Sequence, residues 1–244
     1  MNDFRPVLYI IGMLLCITSF AMLIPMIVDI SMQNLDWQVF MMSGFITFFI
    51  GIILVFSFKN ESKKISIRQG FLLTVLSWII VALFASIPFM YTQTNLSFTN
   101  AVFESISGVT TTGATVISGL DNLPYGILLW RSLLQWFGGI GIIVLALSLL
   151  PMLHIGGMQL FHLESDDPYE KTMPKIGRFV IEISFLYIVL TLVCSFLYMF
   201  SGMPIFEAIV HSMTTISTGG FSTSDFSIAK FNSIWVEWIC VIFM

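Results

Sequence analysis

The sequence predicts an all-α integral membrane protein. Two N-terminal transmembrane helices come first, then a repeated unit of long helix, short re-entrant helix, Thr/Gly-rich turn and long helix, once complete and once truncated. Three observations carry this reading. The chain of 244 residues is 57% hydrophobic and only 10% charged, with a mean hydropathy of +0.95, too apolar for a water-soluble domain. Five stretches, 7–28, 37–58, 70–91, 125–150 and 176–200, reach the ~20 residues that a helix needs to cross the hydrocarbon core. Two more apolar stretches reach about half that length, and each runs into a cluster of Thr, Ser and Gly.

The first stretch exceeds the roughly 7–15 residues of a signal-peptide core and no small-residue cleavage site follows it, so it is read as a retained helix. With 37–58 it makes an N-terminal helix pair, domain 1–60. The complete unit covers 61–153 and contains helix 70–91, a re-entrant helix within 96–109, the turn Thr110, Thr111, Thr112, Gly113 and Ala114, and helix 125–150. A polar connection, 154–175, leads to the second unit, 176–244. There helix 176–200 is followed by a short helix opening at Pro204, a good first helical residue. The turn Ile216, Ser217, Thr218, Gly219 and Gly220 comes next, and then an apolar stretch, 231–244, about half a span in length. The units form a weak internal repeat. Phe103, Glu104 and Ser105 align with Val210, His211 and Ser212, and Gly113 aligns with Gly219; the two registers differ by one residue.

The positions of Lys and Arg, rather than the net charge of −4, set membrane orientation. Arg5, then Lys59, Lys63, Lys64 and Arg68, then Lys171, Lys175 and Arg178 fall at the N-terminus and in alternate connections, which are therefore expected in the cytoplasm. Connections 29–36, 92–124 and 201–230 carry almost no positive charge before Lys230, which predicts that both Thr/Gly turns face outward. Cys16, Cys194 and Cys240 lie in apolar stretches without paired spacing and read as small buried hydrophobes.

Non-helical backbone is tolerated at membrane depth only where protein buries it or it lines a watery cavity. Gly113 and Gly219 are expected at positive φ, where glycine meets no Cβ clash, so that carbonyls of Thr111, Thr112, Ser217 and Thr218 point toward one axis. Such carbonyls can replace the water around a cation, as in potassium filters. A re-entrant helix also aims the negative end of its dipole at the cavity, which favours a cation. Glu104 and His211, at similar places in the two short helices, are expected to brace them by hydrogen bonds. Arg131 lies near the outer end of helix 125–150, where snorkelling to the interface is cheap, and a packing or anchoring role is expected for it rather than ion repulsion. The glycines of Gly138-Gly139-Ile140-Gly141 lie in mid-helix without a preceding strand, which excludes a nucleotide fingerprint and predicts close helix packing or a bend beside the turn. His154, His162, Glu164, Asp166 and Asp167 raise an intramembrane metalloenzyme as an alternative, but their spacing matches no zinc pattern and a solvated loop is expected. No catalytic constellation appears.

Together these motifs resemble the TrkH/KtrB/HKT superfamily of potassium transporters. The resemblance covers the whole chain. It is strongest from Phe98 to Ala101, across Thr110 to Thr115, in Trp130-Arg131-Ser132-Leu133-Leu134-Gln135-Trp136, in Gly156 to Phe161, at His211-Ser212, and from Gly219 to Thr223. The extra N-terminal pair resembles the TrkH branch. What the resemblance implies is a potassium-channel-like architecture of four helix, pore-loop and helix repeats around one pore. Each repeat would give one filter glycine, Gly113 and Gly219 being the first two. Potassium is then the transported ion, with no covalently bound cofactor. Gly113 rather than Ser at the first filter position implies potassium over sodium. The resemblance also implies the bacterial cytoplasmic (inner) membrane, a homodimer in the lipid bilayer, a cytosolic nucleotide-binding regulatory subunit of the TrkA type, and no nucleic-acid partner. One repeat and most of a second are present. Half a carbonyl ring cannot dehydrate an ion, so the chain is expected to be part of a longer transporter; association of two copies and a non-conducting interaction subunit are the alternatives.

Overall fold

The computed structural model of the chain describes residues 4–59, 66–153 and 168–244. The polar cluster of His154, His162, Glu164, Asp166 and Asp167 lies outside them. Among the described residues all regular structure is helical, as nine α-helices and two short 3-10 turns. Five spans are long and apolar enough to cross a membrane: Arg5–Ser31, Trp37–Ser57, Arg68–Tyr91, Tyr125–Val144 and Arg178–Phe200. They coincide with the five stretches expected from the sequence.

Helices α1 (Arg5–Ser31) and α2 (Trp37–Ser57) form an antiparallel hairpin. Lipid tails give two helices no hydrophobic reason to join, so association depends on close backbone approach and hydrogen bonds. This seam has both. A Cβ on Gly12 would meet the Gly51 carbonyl oxygen at 2.8 Å, and one on Gly51 would meet Cys16 Sγ at 2.9 Å. One end along, the Ser19 hydroxyl donates to the Gly44 carbonyl at 2.7 Å.

Helix α3 (Ile67–Ala85) opens with a capping box in which Ser66 and Gln69 satisfy each other's backbone N–H. Pro88 offers no N–H to a continuing helix, and the span breaks at Ser86 before restarting as α4 (Ile87–Tyr91). Helix α5 (Phe98–Val109) follows, with Ser97 Oγ accepting the Asn100 N–H. The remaining helices are α6 (Tyr125–Leu153), α7 (Pro168–Phe200), α8 (Ile205–Ile216) and α9 (Ile234–Phe243). Both α5 and α8 have 12 residues, about 18 Å of helix, half-length as expected.

Helix α6 is the centre of the packing. Of its apolar span 61% is buried, against 22% for α7 and 28% for α2. Trp130 is fully enclosed, donates its indole N–H to the Ala85 carbonyl at 3.0 Å and meets Phe40 edge-on with ring centroids 6.3 Å apart. Met22, Phe89, Ala101, Leu133, Leu134 and Val210 join the same core, which ties α1, α4, α5 and α8 to α6. The outward faces of α7 and α9 are apolar and exposed, with Phe185, Leu192, Trp235 and Val241 among them, as lipid contact requires.

A carboxylate from α1 fixes the start of α6. Asp29 is fully buried and its Oδ1 accepts the Gly126 N–H at 2.8 Å. Pro124 precedes α6 and has no capping side chain, so Asp29 does from a distance what an N-cap does locally, and its charge meets the positive end of the helix. Gly126 is obligatory, because a Cβ there would run into the Asp29 carboxylate. Gly126→Ala is expected to cost about 1–3 kcal/mol through overpacking and to lower the thermal-unfolding midpoint of the purified protein. Gly141→Ala is the control, since a Cβ at Gly141 meets nothing within 4 Å. Equal midpoints for the two variants would refute the cap.

Candidate functional site

The two half-length helices end in the same turn. After α5, Thr110 N–H donates to Ile106 at 2.8 Å, Thr111 N–H to Gly108 at 2.9 Å and Thr112 N–H to Ser107 at 2.9 Å; after α8, Ser217 N–H donates to Met213 at 3.2 Å, Thr218 N–H to Thr215 at 2.9 Å and Gly219 N–H to Thr214 at 2.9 Å. Thr111 and Thr218 have φ of +56° and +53°, and Gly113 and Gly220 have φ of +79° and +76°. The residues before them, Thr110 and Ser217, have φ of −83° and −78°. This alternation sends the peptide N–H groups back toward the helix and the carbonyls to the other side. Among the described residues, no donor engages the carbonyls of Thr111, Thr112, Gly113, Ser217, Thr218 or Gly220.

The internal repeat therefore has one register, in which Gly113 corresponds to Gly220 and Thr112 to Gly219. The expected pairing of Gly113 with Gly219 is corrected by one residue, and Gly219 is not at positive φ. Gly219 is a glycine for another reason. A Cβ there would collide with the Gln135 side-chain amide, and a Cβ on Gly113 would collide with the Gly219 carbonyl oxygen. The two turns thus touch, Gly113 against Gly219. Nothing in the sequence marks Thr111 and Thr218 for positive φ, a costly region for a β-branched residue.

Behind the first turn Glu104 is fully buried and saturated with donors. Arg131 Nε–H reaches Oε1 at 2.9 Å, the Thr115 hydroxyl lies 2.8 Å from Oε1 and 3.0 Å from Oε2, and Val116 N–H donates to Oε2 at 3.0 Å. Behind the second turn His211 stands in the same place. Its Nδ1–H donates to the Glu207 carbonyl at 2.9 Å and its Nε2 lies 3.2 Å from the Ser222 hydroxyl. A carbonyl can only accept, which fixes the tautomer and leaves Nε2 as acceptor. Glu104 with Thr115 and His211 with Ser222 are the same brace built with different chemistry.

Arg131 does not snorkel. It is 1% exposed and, besides Glu104, donates from Nη2 to Thr115 Oγ1 at 3.0 Å and from Nη1 to the Ser222 carbonyl at 2.9 Å. Its guanidinium lies 4.2 Å from the centre of the Phe221 ring. One turn along α6, Gln135 donates from Nε2 to the Gly219 carbonyl at 2.7 Å and accepts the Phe221 N–H at Oε1 at 3.0 Å. One turn further, Gly138 lies against the Val109 carbonyl and Gly139 against Ser217, where a Cβ would meet Ser217 Cβ at 3.0 Å. The expected close packing beside the turn is there. Sequence reasoning named Gln135 only within the motif that carries the family resemblance and gave it no role; its place four residues after Arg131, on the same helix face, was the available signal.

A polar clamp joins the loops that follow the two turns. Asp225 accepts the N–H groups of Gly119 at 2.8 Å and Leu120 at 3.2 Å. Lys230 bridges Asp121 at 3.2 Å and Glu207 at 3.0 Å. Ser224 donates to Asp121 at 2.9 Å and Thr223 to Glu207 at 3.0 Å. The Ser224 hydroxyl foremost, with Lys230, holds the Asp121 carboxyl below its ordinary value. Partial burial works against the Lys230 charge, but its bonds to Glu207 and Asp121 outweigh this and raise its pKa.

Two half-length helices, matching turns and a central helix that grips both define a helical membrane protein built on re-entrant loops. The chain belongs to the TrkH cation transport protein family, whose model matches residues 36–244. It is 41% identical over 244 residues to the Trk system potassium uptake protein TrkH of Escherichia coli (strain K12), covering 99% of this chain and 50% of that protein. With TrkH of Halomonas elongata it shares 42% identity over 243 residues, 98% of this chain and 50% of that one. The crystal structure of the potassium transporter TrkH from Vibrio parahaemolyticus matches with a TM-score of 0.89 at 40% identity, covering 99% of this chain and 49% of that one. The chain spans about half the length of the curated relatives it matches.

Removing one partner of a buried ion pair strands the other charge, so Arg131→Met is expected to destabilise by about 3–5 kcal/mol. Glu104→Leu together with Arg131→Met should cost less than Arg131→Met alone, compared by thermal unfolding; a larger loss in the double variant would refute the pair. The clamp has a pH signature. The Asp121 contribution is full above the ordinary value of 3.8 and is lost as pH falls through its lower folded value. That of Lys230 is full below 10.5 and is lost as pH rises through its higher folded value. Lys230→Met should therefore lower the unfolding midpoint at neutral pH, with a deficit that shrinks at both pH extremes and in high salt.

Proposed function

We propose that this chain supplies two of the filter loops of a potassium uptake pathway. Residues Thr110, Thr111, Thr112, Gly113 and Ala114 form one loop, and Ile216, Ser217, Thr218, Gly219 and Gly220 form the other. The observation that carries this is the matching alternation of φ in two turns that touch, with the carbonyls of Thr111, Thr112 and Gly113 on one and of Ser217, Thr218 and Gly220 on the other engaged by no donor among the described residues. Glu104 and His211 brace the helices behind them, and the two turns alone leave the ring to be completed by further loops. The domains are the helix pair 1–60, the first repeat 61–153, the connection 154–175 and the second repeat 176–244. Basic residues Arg5, Lys59 and Arg68 at the helix ends away from the turns support a cytoplasmic N-terminus in the bacterial inner membrane and an outward-facing filter. The printed names of the relatives support potassium as the ion. A homodimer and a cytosolic nucleotide-binding subunit of the TrkA type complete the proposal, on the family resemblance.

The test joins this chain to the half of the Escherichia coli relative that it does not match, in cells that lack their own potassium uptake. Rubidium uptake above the empty vector is expected, and Gly113→Ser should reduce it at least several-fold, because the new side chain would push on the Gly219 carbonyl. Background uptake from a fusion shown to be in the membrane would refute the filter.

A further inference from the structure

We propose that Gln135 is a positioning residue for ion selectivity: its side-chain amide sets where the second filter loop stands relative to the first. The proposal rests on the filter reading above. Gln135 is fully buried, and both ends of its amide are used on the second loop, at the Gly219 carbonyl, 2.7 Å, and the Phe221 N–H, 3.0 Å. Those two bonds flank Gly220, the counterpart of the filter residue Gly113. The order across the site is Gln135, Gly219, Gly113, with each glycine leaving no room for a Cβ. Moving the Gln135 amide therefore moves the Gly219 peptide, and the Gly219 peptide presses on Gly113.

The loops become unequal in consequence. The Gly219 carbonyl points its lone pair at Gln135, whereas its counterpart on Thr112 is engaged by no donor among the described residues. A cation between the loops meets unlike donor sets from them, and the spacing of those donors depends on a side chain that never touches the ion. Arg131 holds the Ser222 carbonyl just beyond, so the second loop is tied to α6 at Gly219, Phe221 and Ser222.

Three variants separate positioning from packing in the fusion described above. Gln135→Glu replaces the donor by an acceptor facing the Gly219 carbonyl, Gln135→Leu removes both bonds at similar volume, and Gln135→Ala with Gly219→Ala refills the space beside Gly219 without them. The readouts are the ratio of rubidium to sodium uptake and hydrogen–deuterium exchange of the peptide that contains Phe221. Gln135→Glu should lower the ratio by about threefold to tenfold, the range that one lost hydrogen bond sets, and Gln135→Leu, which loses both bonds, should lower it at least as much and raise exchange at Phe221. Gln135→Ala with Gly219→Ala should also lose discrimination. An unchanged ratio with faster exchange would show a packing role only and overturn the proposal, as would unchanged exchange. If the unsubstituted fusion shows no uptake, the filter reading fails first and the proposal falls with it; uptake with an insensitive ratio sinks the proposal alone.

Discussion

Irregular backbone at membrane depth must have its polar groups answered, and almost every conspicuous side chain here answers one. Water is absent from the hydrocarbon core, so an unmatched N–H or C=O costs several kcal/mol. Two turns and the strands beyond them expose such groups in numbers. The N–H groups of the turns go back to their own helices, as in any helix C-terminus. Those of Val116 and Phe221 go to Glu104 and Gln135. Left unanswered among the described residues are the carbonyls of Thr111, Thr112 and Gly113 on the first loop and of Ser217, Thr218 and Gly220 on the second, the groups on which the proposed cation role rests.

Helix α6 meets most of this demand, one turn after another. Gly126 takes its cap from α1, Trp130 locks the helix against α2 and α3, Arg131 and Gln135 reach across to the second loop, and Gly138 and Gly139 let the ends of both half-length helices lie against it. The second loop is thus held by a helix of the first unit. The Glu104–Arg131 pair belongs to this arrangement, because a buried ion pair gives little net stability but fixes geometry when every remaining lone pair is bonded. Replacing Glu104 by His211 in the second copy removes the need for a second buried cation, since a neutral imidazole is satisfied by a carbonyl and a hydroxyl.

Much of the fold was legible in the sequence because lipid makes length and hydropathy decisive. The five spans and the two half-length helices follow from counting apolar residues, with boundaries shifted by a few positions. The register of the repeat was only half legible. Glu104 and His211 pointed to one alignment, and the eye was drawn to Gly219 by a second, since a glycine after Ser-Thr looks like a turn glycine. The residue at positive φ is Gly220, and Gly219 answers to a side chain on another helix, a contact that no local pattern encodes. Arg131 misled for a related reason. Long cations near a helix end usually reach for water, and only the three-dimensional meeting with Glu104, 27 residues away in the chain, keeps this one inside.

The cap supplied by Asp29 also imposes an order in time. Its partner, the N–H of Gly126, lies 97 residues later in the chain, so α1 and α2 are synthesised and can pair along their glycine seam well before that partner exists. A carboxylate buried without any donor is costly, so this end of α1 is completed only by a helix made later. Only with α6 beside α1 is that donor in place. The N-terminal hairpin is in this sense a berth made ready for a helix that arrives late, and Asp29 is the fitting that recognises its arrival.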